Sequence, residues 1–156
     1  MPAEIERKFV AAEAPDAGRL GDGVHIRQGY LAEDDGVSVR VRITDAKSWL
    51  TVKAGTGLER TEVEVTIDHD AAEELWPYTA GRRLEKTRYR VELPDDVVAE
   101  VDLFDDDLAD LCLVEVEFDS VDVADAFVPP AWFGREVTGT PGWSNADLAR
   151  TGIPRS

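Results

Sequence analysis

The sequence predicts a mainly β (α+β) protein: an eight-stranded antiparallel, closed β-barrel with a few peripheral helices. Three observations carry that expectation. Short segments of strand character recur from end to end, each bounded by Gly, Asp, Pro or Asn. Helical patches are few and brief. Within the strands, charged residues stand at every second position, so that each strand has a charged face and an apolar face.

The strands are expected at roughly 3–9, 26–31, 37–44, 48–53, 59–67, 85–93, 98–104 and 113–119. Asp34-Asp35-Gly36 reads as a tight hairpin turn between the second and third, and Pro94-Asp95-Asp96 as the turn between the sixth and seventh. Asp68 to Tyr78 opens with the acidic residues that suit a helix N-terminus and carries Ala71, Leu75 and Trp76. Val121 to Phe127 reads as a second helix, stopped by Pro129-Pro130. The run from Ser144 to Ala149 reads as a terminal helix capped by Ser144 or Asn145. Between Ala11 and Gly23 the pattern allows a short helix around Pro15–Leu20. No linker, repeat or low-complexity tract interrupts the chain, so residues 1–156 are expected to form one domain.

Composition narrows the function classes. The 156 residues are 43% hydrophobic, enough for a sizeable core. No apolar run approaches the ~20 residues of a membrane span. The first residues are acidic and lack an apolar leader core, so no secretory signal is expected. The lone Cys112, flanked by Leu111 and Leu113, reads as a buried structural thiol and fits a reducing cytoplasm. Net charge is −16, which argues against nucleic acid and anionic membrane as partners, both being polyanions. His25 and His69 are isolated, and the four tryptophans read as core.

The charged positions form forks: Glu4/Glu6/Lys8, Arg40/Arg42, Glu62/Glu64, Lys86/Arg88/Arg90, Glu100/Asp102 and Glu115/Glu117. Like charges repeated on one strand face repel. Two barrels satisfy the alternation. In one, the apolar partners fill the interior and the charges face water. In the other, the charges line the lumen, while Ile5, Phe9, Val39, Val41, Ile43, Val63, Val65, Ile67, Val101, Leu103, Val114, Val116 and Phe118 pack outward under the helices. A charged lumen needs neutralising ions, because isolated buried charges are costly. Divalent metal compensates paired carboxylates, and phosphate compensates paired Arg and Lys.

As an ordered set these residues resemble the CYTH domain, the triphosphate tunnel metalloenzymes. Glu4-x-Glu6-x-Lys8 is similar to the family's N-terminal signature. Gln28-Gly29-Tyr30-Leu31, Arg40-x-Arg42, Thr51-Val52-Lys53, Glu62-x-Glu64, Lys86-x-Arg88-Tyr89 and Glu115-Val116-Glu117 follow in the family's order. The tail, Gly134-x-x-Val137-Thr138 and Ser144-Asn145-x-x-Leu148-Ala149, resembles the short bacterial members. The chain departs from the pattern at Asp105–Asp110 and at Trp143. The resemblance implies a tunnel with charged walls, and so the second barrel.

It also implies chemistry. By resemblance Glu4, Glu6 and Glu117 hold a first Mg²⁺ or Mn²⁺, with Glu62, Glu64, Asp102 and Glu115 as candidates for a second ion or its waters. Asp102 has an alternative role as a partner for a nearby Arg or Lys. Arg40, Arg42, Lys53, Lys86 and Arg88 would grip phosphate oxygens, Arg in bidentate fashion and Lys as a point charge. Lys8 would bind one end of the substrate. Tyr30 and Lys86 are alternative water-orienting or proton-transfer groups. The leading expectation is a metal-dependent hydrolase of inorganic triphosphate, a small-molecule substrate. The rivals are a class IV adenylyl cyclase, a thiamine triphosphatase, a polyphosphate-binding module without turnover, and a plain acidic barrel. Monomer and homodimer are both open.

Overall fold

The computed structural model describes residues 3–55 and 58–154. Eight strands run β1 (Ala3–Val10), β2 (Val24–Asp34), β3 (Val37–Ile43), β4 (Ser48–Ala54), β5 (Glu59–Ile67), β6 (Arg83–Leu93), β7 (Val97–Phe104) and β8 (Cys112–Phe118). They are hydrogen-bonded in the order β5-β4-β3-β2-β6-β7-β8-β1, and β5 pairs back onto β1 to close the barrel. The seam is short: Ala3 faces Thr61, Glu4 faces Arg60 and Ile5 faces Glu59. Every pairing is antiparallel, and closure leaves these eight strands without an open sheet edge. A two-residue strand, β9 (Arg135–Glu136), adds to the end of β1.

The turns follow the residues foreseen for them. Asp35 and Gly36 take φ of 50° and 77°, the left-handed pair that matches a hairpin's twist. Asp95 and Asp96 are also left-handed, at 64° and 60°. Four short helices lie outside the lattice of strands: α1 (Ala17–Leu20), α2 (His69–Leu75), α3 (Val121–Ala126) and α4 (Asn145–Thr151). Ser144 caps α4, its Oγ accepting from the Asp147 amide at 3.0 Å.

Alternation then sorts the side chains. Most of the residues expected to pack outward do so, in two outer clusters, but Val63 and Val65 on β5 have no helix over them and are exposed. Phe9, Val101, Val114, Val116 and Phe118 meet Leu20, Ala124 and Phe133 under α1, α3 and the turn at Ala131–Phe133. Val41 and Ile43 lie under α2 against Ala72, Leu75 and Trp76. Each fully buried aliphatic or aromatic side chain there contributes about 1.5–3 kcal/mol. Gly134 crosses over β1 so closely that a Cβ would strike the Val10 carbonyl, and its φ of 75° suits glycine alone.

A third cluster was not foreseen. Val10, Leu84, Phe104 and Leu113 point inward, and Val137, Trp143 and Leu148 from the C-terminal segment pack onto them. One end of the lumen is therefore an apolar floor sealed by α4. Cys112 is buried, and burial pushes its thiol up to about 11, as a structural cysteine requires.

Candidate active site: a lumen with two charged arcs

The floor carries a cavity of about 660 Å³. Glu4, Glu6, Lys8, Tyr30, Arg40, Arg42, Lys53, Glu62, Glu64, Lys86, Arg88, Glu115 and Glu117 all line it, so twelve sequence-expected charges and one tyrosine converge. They come from strands far apart in sequence, and barrel closure orders them. Acidic residues occupy one contiguous arc, β7-β8-β1-β5. The inward charges of β4, β3 and β6 are all basic, and β3 and β6 flank β2, which contributes Tyr30 to the cavity wall and the buried Gln28 behind it.

The basic arc is tightly organised. Arg42 Nε donates to Gln28 Oε1 at 3.0 Å, and among the described residues Arg42 forms no ion pair. Burial, with Arg40 and Arg88 beside it, lowers Arg42 to about 9. Arg40 reaches Thr51 Oγ1 at 3.2 Å and Glu64 at 3.4 Å. Its buried Nε has no partner among the described residues.

Asp102 differs from the metal-ligand expectation. It sits behind the lumen, 1% exposed, with both oxygens on Arg88 at 2.8 and 2.9 Å and one on Lys86 at 2.8 Å. Burial opposes its ionisation, but Lys86 and Arg88 outweigh burial and lower it to about 2. Lys86 moves down as well, to about 7, although it touches the same carboxylate. Burial is the largest cause at Lys86, and the nearby Arg88 and Arg42 add to it against the pull of Asp102. Arg90 is exposed, toward the far end of β6 from Leu84.

The acidic arc is less settled. The register sets Glu6 directly opposite Glu117 and Glu100 directly opposite Glu115, like charges facing across two strands. Burial, then Glu4 and Glu100, push the Glu117 carboxyl up. Burial and a hydrogen bond with Glu4 raise Glu62 to about 7. Burial resists ionisation of Glu4 too, yet Glu62, Lys53 and Arg60 hold it down at about 2. Lys53 lies 3.2 Å and Arg60 3.1 Å from Glu4, and Arg60 also pairs with Glu6. Lys8 lies 3.6 Å from Glu115, which is held below the usual carboxylate range against its burial.

Arg60 was absent from the sequence-based site. The signal was present: Arg60 continues the Glu62/Glu64 alternation by one step. Gln28 was noted only as part of a resemblance and Asn145 otherwise only as a candidate helix cap, although Asn145 lines the lumen and the buried Gln28 holds Arg42 and Tyr30 from behind it.

The donor set fits a hard divalent cation in chemistry. Carboxylates face one another and two are pushed toward protonation, which are the repulsions that a cation relieves. No group of three acidic, His or Cys side chains converges at ligand spacing among the described residues. Arg60 and Lys53 occupy Glu4 and Glu6 instead. The orphaned Nε atoms of Arg40 and Arg60 add unused donors suited to an anion.

Fold and site together define a closed barrel around a ligand-sized, charge-divided lumen. Comparison with known proteins gives the family. The CYTH domain profile matches residues 2–137, and the chain belongs to that family. It is 49% identical over 147 residues to an inorganic triphosphatase of Nitrosomonas europaea, covering 94% of this chain and 96% of that one. It is 39% identical over 153 residues to an inorganic triphosphatase of Acetivibrio thermocellus, covering 96% and 95%. A solved inorganic triphosphatase structure superposes with a TM-score of 0.71 at 46% identity, over 96% of this chain and 99% of that one. A Hippeastrum protein described as a putative adenylyl cyclase with a dominant triphosphatase activity shares the fold, with a TM-score of 0.69 at 15% identity over 97% of each chain.

Proposed function

We propose that this chain is a metal-dependent triphosphatase that cleaves a phosphoanhydride of inorganic triphosphate inside the barrel. The observation that carries the reading is the division of one lumen into a basic and an acidic arc. A polyphosphate chain needs the first, and the divalent cation that accompanies it needs the second. The relatives with nearly full-length matches are inorganic triphosphatases, which supports the same reading.

Arg42, with its guanidinium turned from any carboxylate, and Arg40, with an unused donor, grip phosphate oxygens. Arg88 and Lys53 add charge at the two boundaries of the arcs. Lys8 holds one end of the substrate from within the acidic arc. Phosphoryl transfer then requires an aligned nucleophile and neutralised oxygens. Tyr30 and Lys86 border the cavity as groups that orient water or carry its proton. Glu4, Glu6 and Glu117 would hold Mg²⁺ or Mn²⁺, with Glu62, Glu64 and Glu115 beside them. The bound ion supplies charge neutralisation of phosphate and a more acidic water. Asp102 is left out of this set because its oxygens serve Arg88 and Lys86. A reducing, cytoplasmic setting suits the buried single thiol. No described helix is long and apolar enough to cross a membrane.

Among the described residues the lumen presents donors for phosphate but no group that must pair with adenine or thiazole, and a site selects strongly only by pairing what the analogue lacks. Tripolyphosphate is therefore the preferred substrate over ATP and thiamine triphosphate. Phosphate release should be measured on tripolyphosphate, ATP, thiamine triphosphate and pyrophosphate, with Mg²⁺, Mn²⁺ and chelator, alongside chromatography for cyclic AMP. The reading requires the highest kcat/KM on tripolyphosphate and no turnover in chelator. Cyclic AMP as the main product would replace it with a cyclase.

A further inference from the structure

The family match ends at residue 137, yet the segment just beyond it touches the candidate reaction groups. Lys8 Nζ donates to the Trp143 carbonyl at 3.3 Å. Lys86 Nζ donates to Asn145 Oδ1 at 2.8 Å. Gln28 is fully buried, and its Nε2 donates to Tyr30 Oη at 2.9 Å and to Asn145 Oδ1 at 3.4 Å. Its Oε1 accepts from Arg42. Two neutral amides thus connect the first turn of α4 to Lys86, Tyr30 and Arg42 together. The segment is itself anchored, by Trp143 and Leu148 in the apolar floor and by Asp147 Oδ2 accepting from the Gly142 amide at 3.1 Å.

The donor count shows what this achieves. An ammonium has three N–H groups. Asp102 and Asn145 take two from Lys86, which leaves one and fixes its direction. The Tyr30 hydroxyl accepts from Gln28, so its own proton remains to donate. Arg42 is tied by Nε, so both of its terminal nitrogens remain for an anion. A carboxylate in place of Asn145 would still accept from Lys86 and Gln28 but would cancel the charge needed for phosphate, and one in place of Gln28 would lose the donor that Tyr30 and Asn145 accept from. Neutral amides orient cations without quenching them.

We propose that Asn145, acting with Gln28, is a positioning residue for triphosphate hydrolysis: it aims Lys86, Tyr30 and Arg42 into the lumen. The inference rests on the triphosphatase reading. It assigns the C-terminal segment to the reaction site as well as to the barrel's floor.

Two variants separate aim from charge. Asn145→Leu keeps the volume and removes the acceptor. Asn145→Asp keeps the acceptor and adds charge. With tripolyphosphate and Mg²⁺, Asn145→Leu should lower kcat about 10- to 100-fold with KM within about threefold, the scale expected of small misplacements. Asn145→Asp should raise KM by about tenfold or more. Calorimetric titration of tripolyphosphate in chelator gives a readout that needs no turnover. There Asn145→Asp should bind more weakly than both the wild type and Asn145→Leu. Melting temperatures identify any variant that fails to fold, and Gln28→Leu then replaces Asn145→Leu, with the same expected loss of kcat.

Wild-type kcat in Asn145→Leu would overturn the proposal. So would identical kinetics for the two variants, because a purely structural asparagine is indifferent to charge. If the wild type fails to hydrolyse any triphosphate, the triphosphatase reading falls. The positioning claim then stands or falls on the calorimetric order alone.

Discussion

The two arcs of the lumen use the same strand geometry and reach opposite states. In the basic arc, Arg42, Arg40 and Lys86 are each held by at least one neutral partner, Gln28, Thr51 or Asn145. In the acidic arc, Glu6 faces Glu117, Glu115 faces Glu100, and burial with the neighbouring Glu4 raises Glu62 to about 7. Its relief comes from cations that the arc borrows, Arg60 and Lys53. The two arcs therefore differ in how they are held: neutral partners fix the basic side chains, and internal cations relieve the acidic ones.

The comparison is broken most severely by removing its best-prepared donor. Arg42→Ala should lower kcat/KM on tripolyphosphate by roughly 10²–10³, the cost typical of deleting one preorganised charge-stabilising group. Its fold, followed by circular dichroism, should persist. The acidic counterpart, Glu6→Gln, should lose Mg²⁺-stimulated hydrolysis. Its melting temperature in chelator should stay close to the wild type's, because relief of the facing Glu117 offsets the lost pair with Arg60. Equal destabilisation by both substitutions would erase the distinction between the arcs.

Ligand binding sharpens the same contrast. Tripolyphosphate with Mg²⁺ at about 100 times Kd should stabilise the barrel by about 2.7 kcal/mol through mass action, read as a thermal shift. Arg42→Ala should abolish that shift. An unchanged melting temperature in the wild type at several millimolar ligand would place the charges in a solvated role.

A smaller effect is expected from protons alone. Glu62 is raised to about 7, above its usual 4.5, so the folded barrel binds this proton more tightly than the unfolded chain. That contribution is full below about pH 4.5 and is lost as pH rises through about 7. Glu4, lowered to about 2, is ionised in both states above pH 5 and adds no slope there. Lys86, lowered to about 7, acts in the opposite direction above that pH, so the readout is a difference between two proteins: in chelator, the wild type should lose melting temperature relative to Glu62→Gln between pH 5 and 7. Parallel profiles would remove Glu62 from the account.

The smallest effect belongs to the residue that continues the basic fork out of the lumen. Arg90 is exposed, and Arg90→Ala should change stability by no more than about 0.5 kcal/mol. Its kcat/KM should stay within about twofold of the wild type.

Much of this was legible in the chain. The eight strands, the Asp-Gly and Pro-Asp turns and the Ser144 cap follow from local rules of turn chemistry and alternation. The forks Arg40/Arg42 and Glu115/Glu117 announced a face of uniform charge, because side chains two apart in a strand share a side. Local pattern could not choose which side faced inward, since both barrels satisfy the same period. It also could not separate inward residues by depth. Leu84 and Lys86, or Leu113 and Glu115, share a strand face, yet one of each pair lies in the apolar floor and the other in the cavity.

The sequence by itself determined strand content, turn positions and the charge on each strand, because those depend on neighbours within a few residues. Only the tertiary structure decided the rest. The order of strands around the barrel sets acidic β1, β5, β7 and β8 side by side, although β1 ends at Val10 and the others begin at Glu59, Val97 and Cys112. Closure set Arg60 opposite Glu4, turned Asp102 from an expected metal donor into the anchor of Lys86 and Arg88, and brought Asn145 to Lys86. Such pairings depend on register and shear summed over the whole barrel. No window of sequence contains them.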